Sequence, residues 1–341
     1  MRTFYYRVTT NFGDYMNSWL WPELFPGLTD KHPERVLVGI GSLIKSDLSR
    51  VPGRKVIFGT GSGYGPMPRP EEVADWDVYC VRGPLTARLL RLDPDKAVVD
   101  GAWLVDQLSD MRYQPGTREG IVFLPHWTTD LYANWRAPCR AAGIRYISPF
   151  EDSKAVFRAI SQAKLAIVES LHGGIVADYY RVPWIPVASG ERVLAFKWQD
   201  FVQSLGLDYR PIALPRTDSL ERLLGQPETP WSGGIDYLTV PSVPDLDKAI
   251  YAPAIPDSMA YRMRIRLKGL IRPVRGAAVA ALNAGRQHPP LSTAFSSRAA
   301  RLGDLLNRIA EEPTWLSADA TRAAKLDRLG SLAAQFRNDF G

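Results

Sequence analysis

The stretch AKLAIVESLHGGIVADYYRVPWIPVA, residues 163–188, decides the fold. An apolar run of strand length, KLAIVES (164–170), gives way to a glycine-marked segment with helical character over 173–181, and a second apolar run, PWIPVA (183–188), follows at once. Strand, helix and strand in so short a span form a parallel crossover unit, and both runs are apolar throughout rather than alternating, as in strands buried on both faces. A strand ending at Glu169 and a helix beginning near Gly173 put His172 in the turn between them. The paired glycines there would let another molecule approach the backbone.

The same pattern repeats on either side. Strands are expected at 3–8, 35–41, 55–61, 77–81 and 97–105, and, after the turn QPGTREG (114–120), at 121–126, 144–148, 164–170 and 183–188, with helices at 130–142, 152–162 and 173–181. These alternations predict an α/β protein of two doubly wound, Rossmann-like domains, spanning 1–115 and 116–226. A third region, 227–341, begins with a proline-rich connector at 228–258 and ends in two helices. One carries Leu302, Leu305, Leu306 and Ile309, the other Leu326, Leu329, Leu332 and Phe336, at helical intervals.

Composition narrows the function. The chain of 341 residues is 45% hydrophobic and 23% charged, with two cysteines, so neither a disulfide framework nor a cysteine zinc site is available and a reducing, cytoplasmic setting is expected. No apolar run reaches the length of a membrane span. The net charge of +6 is concentrated in residues 261–286, which hold seven Lys or Arg and no acid. That concentration argues against a broad nucleic-acid face; the segment reads either as a solvated helix packed on the first domain or as a basic amphipathic element in peripheral contact with an anionic membrane surface.

Familiar motifs fail. Gly59-Thr-Gly-Ser-Gly-Tyr-Gly65 has Tyr64 where a dinucleotide fingerprint needs its third glycine, no phosphate-loop GxxxxGK[ST] occurs, and Ser62 lacks the spacing of a nucleophile elbow. Asp75-Trp-Asp77 resembles a metal-binding triplet, but Asp77 opens a strand, and no metal is expected. What remains is a series of polar groups at strand ends: Arg7 and Asn11-Phe-Gly13-Asp14, Gly39-Ile-Gly-Ser42, Gly59 to Gly63, Arg82-Gly-Pro-Leu-Thr86, Asp100-Gly101, His126, and Ser170-Leu-His172. Ligands of parallel α/β folds bind at that edge.

NFGDYMN, GIGSLI, VFGTGSGYG, VRGPLTARLL, DGAWLV and ESLHGGIVADYYRVPWIPV, in that order over about residues 3–210, resemble the polysaccharide pyruvyltransferase family, in particular exopolysaccharide ketal-pyruvyltransferases of the succinoglycan and xanthan kind. The resemblance implies a fold similar to GT-B glycosyltransferases, phosphoenolpyruvate as donor substrate with no cofactor, and a hexose of a lipid-linked oligosaccharide as acceptor. Many members carry arginine where this chain has Ser170, so another cation must hold donor charge, with Arg82, Arg181, Arg192 and Lys197 as candidates.

The chemistry then asks for a proton donor to the enol methylene, a base for the sugar hydroxyls, and cations or amides for the donor's anionic groups. His172 is the expected acid, Asp14 the expected base, and His126 a second acid or base. Asp14 has an alternative reading as the N-cap of the helix carrying Trp19 and Leu20. Arg82 is expected to fork onto the carboxylate, with Asn11, Gly13, Ser42, Gly61, Ser62, Ser170, Gly173 and Lys197 as substrate contacts. Ten tryptophans suit sugar stacking. A glycosyltransferase using a nucleotide sugar, with Glu191-Arg192 at its nucleotide, and a non-catalytic carbohydrate-binding protein are the competing readings.

Overall fold

The computed structural model describes residues 1–6, 11–28, 31–63, 65–190, 193–218, 221, 229–245 and 289–341. Two parallel sheets form its frame. The first contains β1 (Arg2–Phe4), β2 (Arg35–Val38), β3 (Arg54–Phe58) and β4 (Asp77–Cys80), side by side in chain order. The second contains β5 (Ile121–Leu124), β6 (Arg145–Tyr146), β7 (Leu165–Val168), β8 (Trp184–Ala188) and β9 (Ile212–Ala213), in the order β6-β5-β7-β8-β9.

The expected α/β class holds, with one correction. The second sheet is doubly wound, because its strand order reverses at β5. Among the described residues the first sheet shows no reversal. The reason lies at 97–105, expected as a strand: only Ala97 makes a bridge, to Val81, and the chain then tightens into a 3-10 helix at Gly101–Gln107 whose N-cap is Asp100. A short polar side chain followed by glycine favours that turn over continued pairing.

Helices cover the sheets: α1 (Phe12–Tyr15), α2 (Leu20–Leu24), α3 (Pro70–Ala74), α4 (Pro84–Leu89), α5 (Trp127–Tyr132), α6 (Arg136–Ala142), α7 (Ser153–Ser161), α8 (Leu171–Tyr179) and α9 (Ala195–Ser204). The helix expected over 130–142 is therefore two. One apolar core runs across both sheets, joining Leu37 and Phe58 of the first to Val122 and Val168 of the second. Trp21, Trp103, Trp135, Trp184 and Trp198 are at most 1% exposed, so half of the tryptophans expected to stack on sugars are core instead.

The tail reaches across the molecule. In α10 (Pro289–Ile309), Leu302, Leu305, Leu306 and Ile309 are buried with Cys139 of α6 in a second core. Trp315 then pairs with Trp184 of β8 through two backbone bonds of 2.7 and 3.0 Å. In α11 (Asp319–Phe340), Leu329, Leu332, Phe336 and Phe340 are buried, and the Phe336 ring packs on Phe25, Phe58 and Tyr79 of the first half. Residues 246–288, including the basic stretch 261–286, lie outside the described residues, as do Arg7, Glu191 and Arg192.

Candidate functional site

The strand order of the second sheet reverses between β5 and β7, the kind of point at which ligands of parallel α/β folds bind. His126 follows β5, and Ser170-Leu171-His172 follow β7. Facing them is the start of α1. Phe12 N–H donates to Pro149 O of the second half at 2.8 Å, and the Gly13 α-carbon lies flat on the imidazole of His172. A methyl group at Gly13 would sit 2.0 Å from His172 Nδ1.

His172 is not in a turn. It occupies the first turn of α8, whose N-cap is Ser170, and the Ser170 side chain makes no capping hydrogen bond. The two glycines also serve another purpose than the one expected, because added side chains would run into Val168 from Gly173 and into the Trp198 ring from Gly174. They let α8 lie close on the sheet and on α9. The imidazole Nε2 is shielded from solvent and has no hydrogen-bond partner. Burial, helped by the nearby charges of Lys197 and Arg82, lowers its pKa to about 3. His172 is therefore neutral near pH 7 in the ligand-free protein.

Asp14 is freed from the capping role that competed with catalysis. Asn11 is the N-cap of α1, its Oδ1 accepting from Gly13 N at 3.0 Å and Asp14 N at 3.3 Å, while Asn11 Nδ2 donates to Asp14 Oδ2 at 2.6 Å. Burial raises the Asp14 carboxyl to about 6, against the pull of Lys197 and the bond from Asn11.

Arg82 is built into the protein more deeply than a donor clamp on a surface would be. It is wholly buried, and its guanidinium lies on the bare α-carbon of Gly61. Nε donates to Asp200 Oδ2 at 3.1 Å, Nη1 to Ser42 Oγ at 2.8 Å and Nη2 to Ser62 O at 2.9 Å. Asp200, on α9, also accepts from Thr86 N at 2.8 Å and Thr86 Oγ1 at 2.6 Å. Thr86 Oγ1 in turn accepts from Ser62 N at 3.0 Å. Asp200 was not singled out in the sequence. The available signal was its place three residues after Lys197, which puts both on one side of a helix.

Lys197 is nearly buried, its stem over the Gly63 α-carbon and its charge felt by Asp14 and His172. Among the described candidates for replacing the family arginine, it is the cation that acts on both of those groups, while Arg82 acts on His172 as well. Arg181 is at the far end of α8, where it bonds Ser317 Oγ at 3.1 Å and pairs with Asp319 at 2.9 Å.

Ser62 Oγ and Asp100 Oδ2 complete the cluster, and like His172 Nε2 both are buried without a hydrogen-bond partner. Asp100 Oδ1 accepts from Ala102 N at 3.0 Å. Its pKa is raised to about 7 by burial, against Arg82 and the Ala102 amide, with Asp200 and Asp14 adding to the rise.

His126 is buried just after β5. Its backbone N–H donates to Glu169 Oε2 at 2.8 Å, and its Nδ1 is 2.7 Å from Thr128 Oγ1. The buried Glu169 also accepts from Ser189 N at 2.8 Å, so it ties the ends of β5, β7 and β8 together just before Ser170.

The fold and this cluster define a two-sheet α/β protein with a charged, mostly buried polar site where strand ends of both sheets converge. The chain is 38% identical over 216 residues to the succinoglycan biosynthesis protein ExoV of Rhizobium meliloti (strain 1021), a match covering 63% of this chain and 67% of that protein. It belongs to the polysaccharide pyruvyltransferase family, on the succinoglycan side. No family profile matches the chain, and no solved structure does.

Proposed function

We propose that this protein transfers the pyruvyl group of phosphoenolpyruvate to a sugar of an exopolysaccharide repeat unit, forming a cyclic ketal and releasing phosphate. The observation that supports this most directly is the set of three buried, unpartnered polar atoms, His172 Nε2, Ser62 Oγ and Asp100 Oδ2, clustered with two cations, Arg82 and Lys197. Buried polar groups are ordinarily satisfied, and such a cluster suits a small anion that brings the missing partners. The biosynthetic setting follows from the relative, which takes part in succinoglycan biosynthesis by its name.

In this reading one sugar hydroxyl attacks the central enol carbon while the methylene takes a proton to become a methyl group. Phosphate leaves, and the second hydroxyl closes the ring. Of the two hydroxyl protons, one is balanced by the new methyl C–H and the other by the departing phosphate. Neutral His172 accepts a hydroxyl proton, and a donor anion beside it raises its basicity by opposing Lys197 and Arg82. A protonated carboxyl serves the methylene, and Asp14, with a pKa near 6 and within reach of the Lys197 charge, takes that role. This exchanges the acid and base roles expected from the sequence. Lys197 meets the donor's charge, with Arg82 behind it.

The acceptor is a hexose, held as a lipid-linked oligosaccharide, and the basic stretch 261–286 brings the protein to the membrane that carries it. Among the described residues, no helix is long and apolar enough to cross a membrane. Incubation with phosphoenolpyruvate and an exopolysaccharide-derived oligosaccharide, followed by 31P and 1H NMR, tests the reading. Inorganic phosphate and a ketal methyl signal should grow in equal amounts. Turnover of a UDP-sugar in place of phosphoenolpyruvate would show the glycosyltransferase reading to be correct instead.

A further inference from the structure

Asp100 has no part in the chemistry above, yet its placement is as constrained as that of any group in the site. It follows the bridge at Ala97, and the backbone just beyond it is pressed against Gly59: a Cβ on Gly59 would lie 2.4 Å from Gly101 N, and Gly101 N donates to Gly59 O at 3.2 Å. The backbone that carries the carboxyl is held in place by these contacts, and the side chain is wholly buried. One oxygen caps the following turn and the other has no partner.

We infer that Asp100 is a positioning residue for the donor, holding a proton whenever an anion occupies the site and so leaving Arg82 with one ionised counter-charge, Asp200. The inference rests on the anion-site reading above. The charge count explains why the proton matters. Arg82 and Lys197 supply two positive charges, and Asp200 and Asp14 can supply two negative ones. With Asp100 neutral the cluster balances; with Asp100 ionised it carries an excess negative charge that an incoming dianion must overcome in a low-dielectric setting.

Geometry chooses Asp100 over Asp14 as the holder of this proton. Asp14 Oδ2 receives a hydrogen bond from Asn11 and feels Lys197, both of which favour the ionised form, so Asp14 is the carboxyl able to give up its proton in the reaction and Asp100 the one that keeps its own. Asp100 Oδ2 receives nothing and is completely buried. The titratable and charged groups acting on it are Arg82 at the end of β4, Asp200 from α9, Asp14 from α1 and the Cys80 thiol of β4. Of these only Arg82 favours ionisation.

Sulfate is the first probe, because its own charge is constant between pH 6 and pH 8. Titration calorimetry in two buffers of different ionisation enthalpy reads both affinity and proton uptake. Wild-type protein should bind sulfate about tenfold more weakly at pH 8 than at pH 6 and take up close to one proton per sulfate at pH 8, as expected for a group near 7 that must be protonated. Asp100→Asn, which keeps the cap to Ala102 and mimics the protonated carboxyl, should keep the pH 6 affinity and lose the proton uptake. Asp100→Ser, also a capping residue without charge, serves the same test should the Asn variant fold poorly. Asp14→Asn should retain the uptake.

Proton uptake that persists in Asp100→Asn, or vanishes in Asp14→Asn instead, overturns the inference and leaves the anion site intact. Failure of both sulfate and phosphoenolpyruvate to bind wild-type protein at pH 6 removes the anion site itself, and this inference with it.

Discussion

Replacing Asp200 by Asn keeps the shape of the side chain and removes one charge from a pair that has no solvent exposure at either end. Arg82 would keep Ser42 Oγ and Ser62 O as partners but lose its counter-ion, and an Asn amide turned toward Arg82 Nε would place donor against donor. Breaking one side of a buried pair costs about 3–5 kcal/mol, because the remaining charge is stranded in low dielectric. Taking ~2 °C per kcal/mol, at the low end for a chain of this size, the midpoint of thermal unfolding should fall by roughly 6–10 °C. The double variant Arg82→Gln/Asp200→Asn removes both charges and should recover most of that loss, while anion binding weakens because the Arg82 charge is gone. Calorimetric unfolding of the two single variants and the double variant completes the cycle. A loss below about 1 kcal/mol in Asp200→Asn, the size of a solvated ion pair, would refute the burial argument. A double variant no more stable than the single one would refute the assignment to charge.

Three further outcomes follow from contacts elsewhere. The His172 ring should show no titration by NMR between pH 5 and 8 in the ligand-free protein, and because its folded pKa of about 3 lies below the unfolded 6.5, its contribution to stability is complete above pH 6.5 and is lost as pH falls toward 3. A titration midpoint near 6.5 would return His172 to the role of acid. Gly83→Ala would place a methyl group 1.9 Å from the Asp200 carbonyl, so α9 must move away from α4 and both Lys197 and Asp200 with it; a stability loss of about 2 kcal/mol with weaker sulfate binding is expected, and a silent variant would show that the α4–α9 contact is looser than described. Phe336→Ala should cost about 3–5 kcal/mol, read by urea unfolding, since the ring touches Phe25, Phe58, Tyr79 and Phe340. A loss of less than 1 kcal/mol would mean that α11 is not part of the first core.

Parallel strands buried on both faces announce themselves as apolar runs, and β2 to β5, β7 and β8 could be read that way. The leucines of the tail were equally legible, since their helical spacing coincides with burial. What the sequence hid were features set by partners far along the chain. Whether Arg82 faces solvent or protein depends on Asp200, 118 positions away, and no local pattern marks that pairing. His172 looked like a turn residue because glycines usually punctuate, whereas here they permit helix packing against Val168 and Trp198. Its protonation follows from burial and from Lys197, neither of which local sequence reveals. The two-residue strands β6 and β9 are too short to carry any period.

The stability contributed by α11 and the specificity contributed by Arg82 and Asp200 divide the work of joining the two sheets. Apolar burial of Phe336 and Phe340 against the first half, with Trp315 paired to β8 of the second, holds the halves together but fixes their relative position loosely, because dispersion and hydrophobic contact are not directional. The buried pair adds little net stability once desolvation is counted, yet its geometry is exacting: Asp200 meets Arg82 Nε, Thr86 N and Thr86 Oγ1 at once. Lys197 lies one helical turn before Asp200 on α9, so locking Asp200 sets where the Lys197 ammonium stands relative to Asp14 and His172. That relation predicts an order of losses. Truncating the apolar tail should lower stability before it lowers anion affinity, whereas the charge-free double variant should do the reverse.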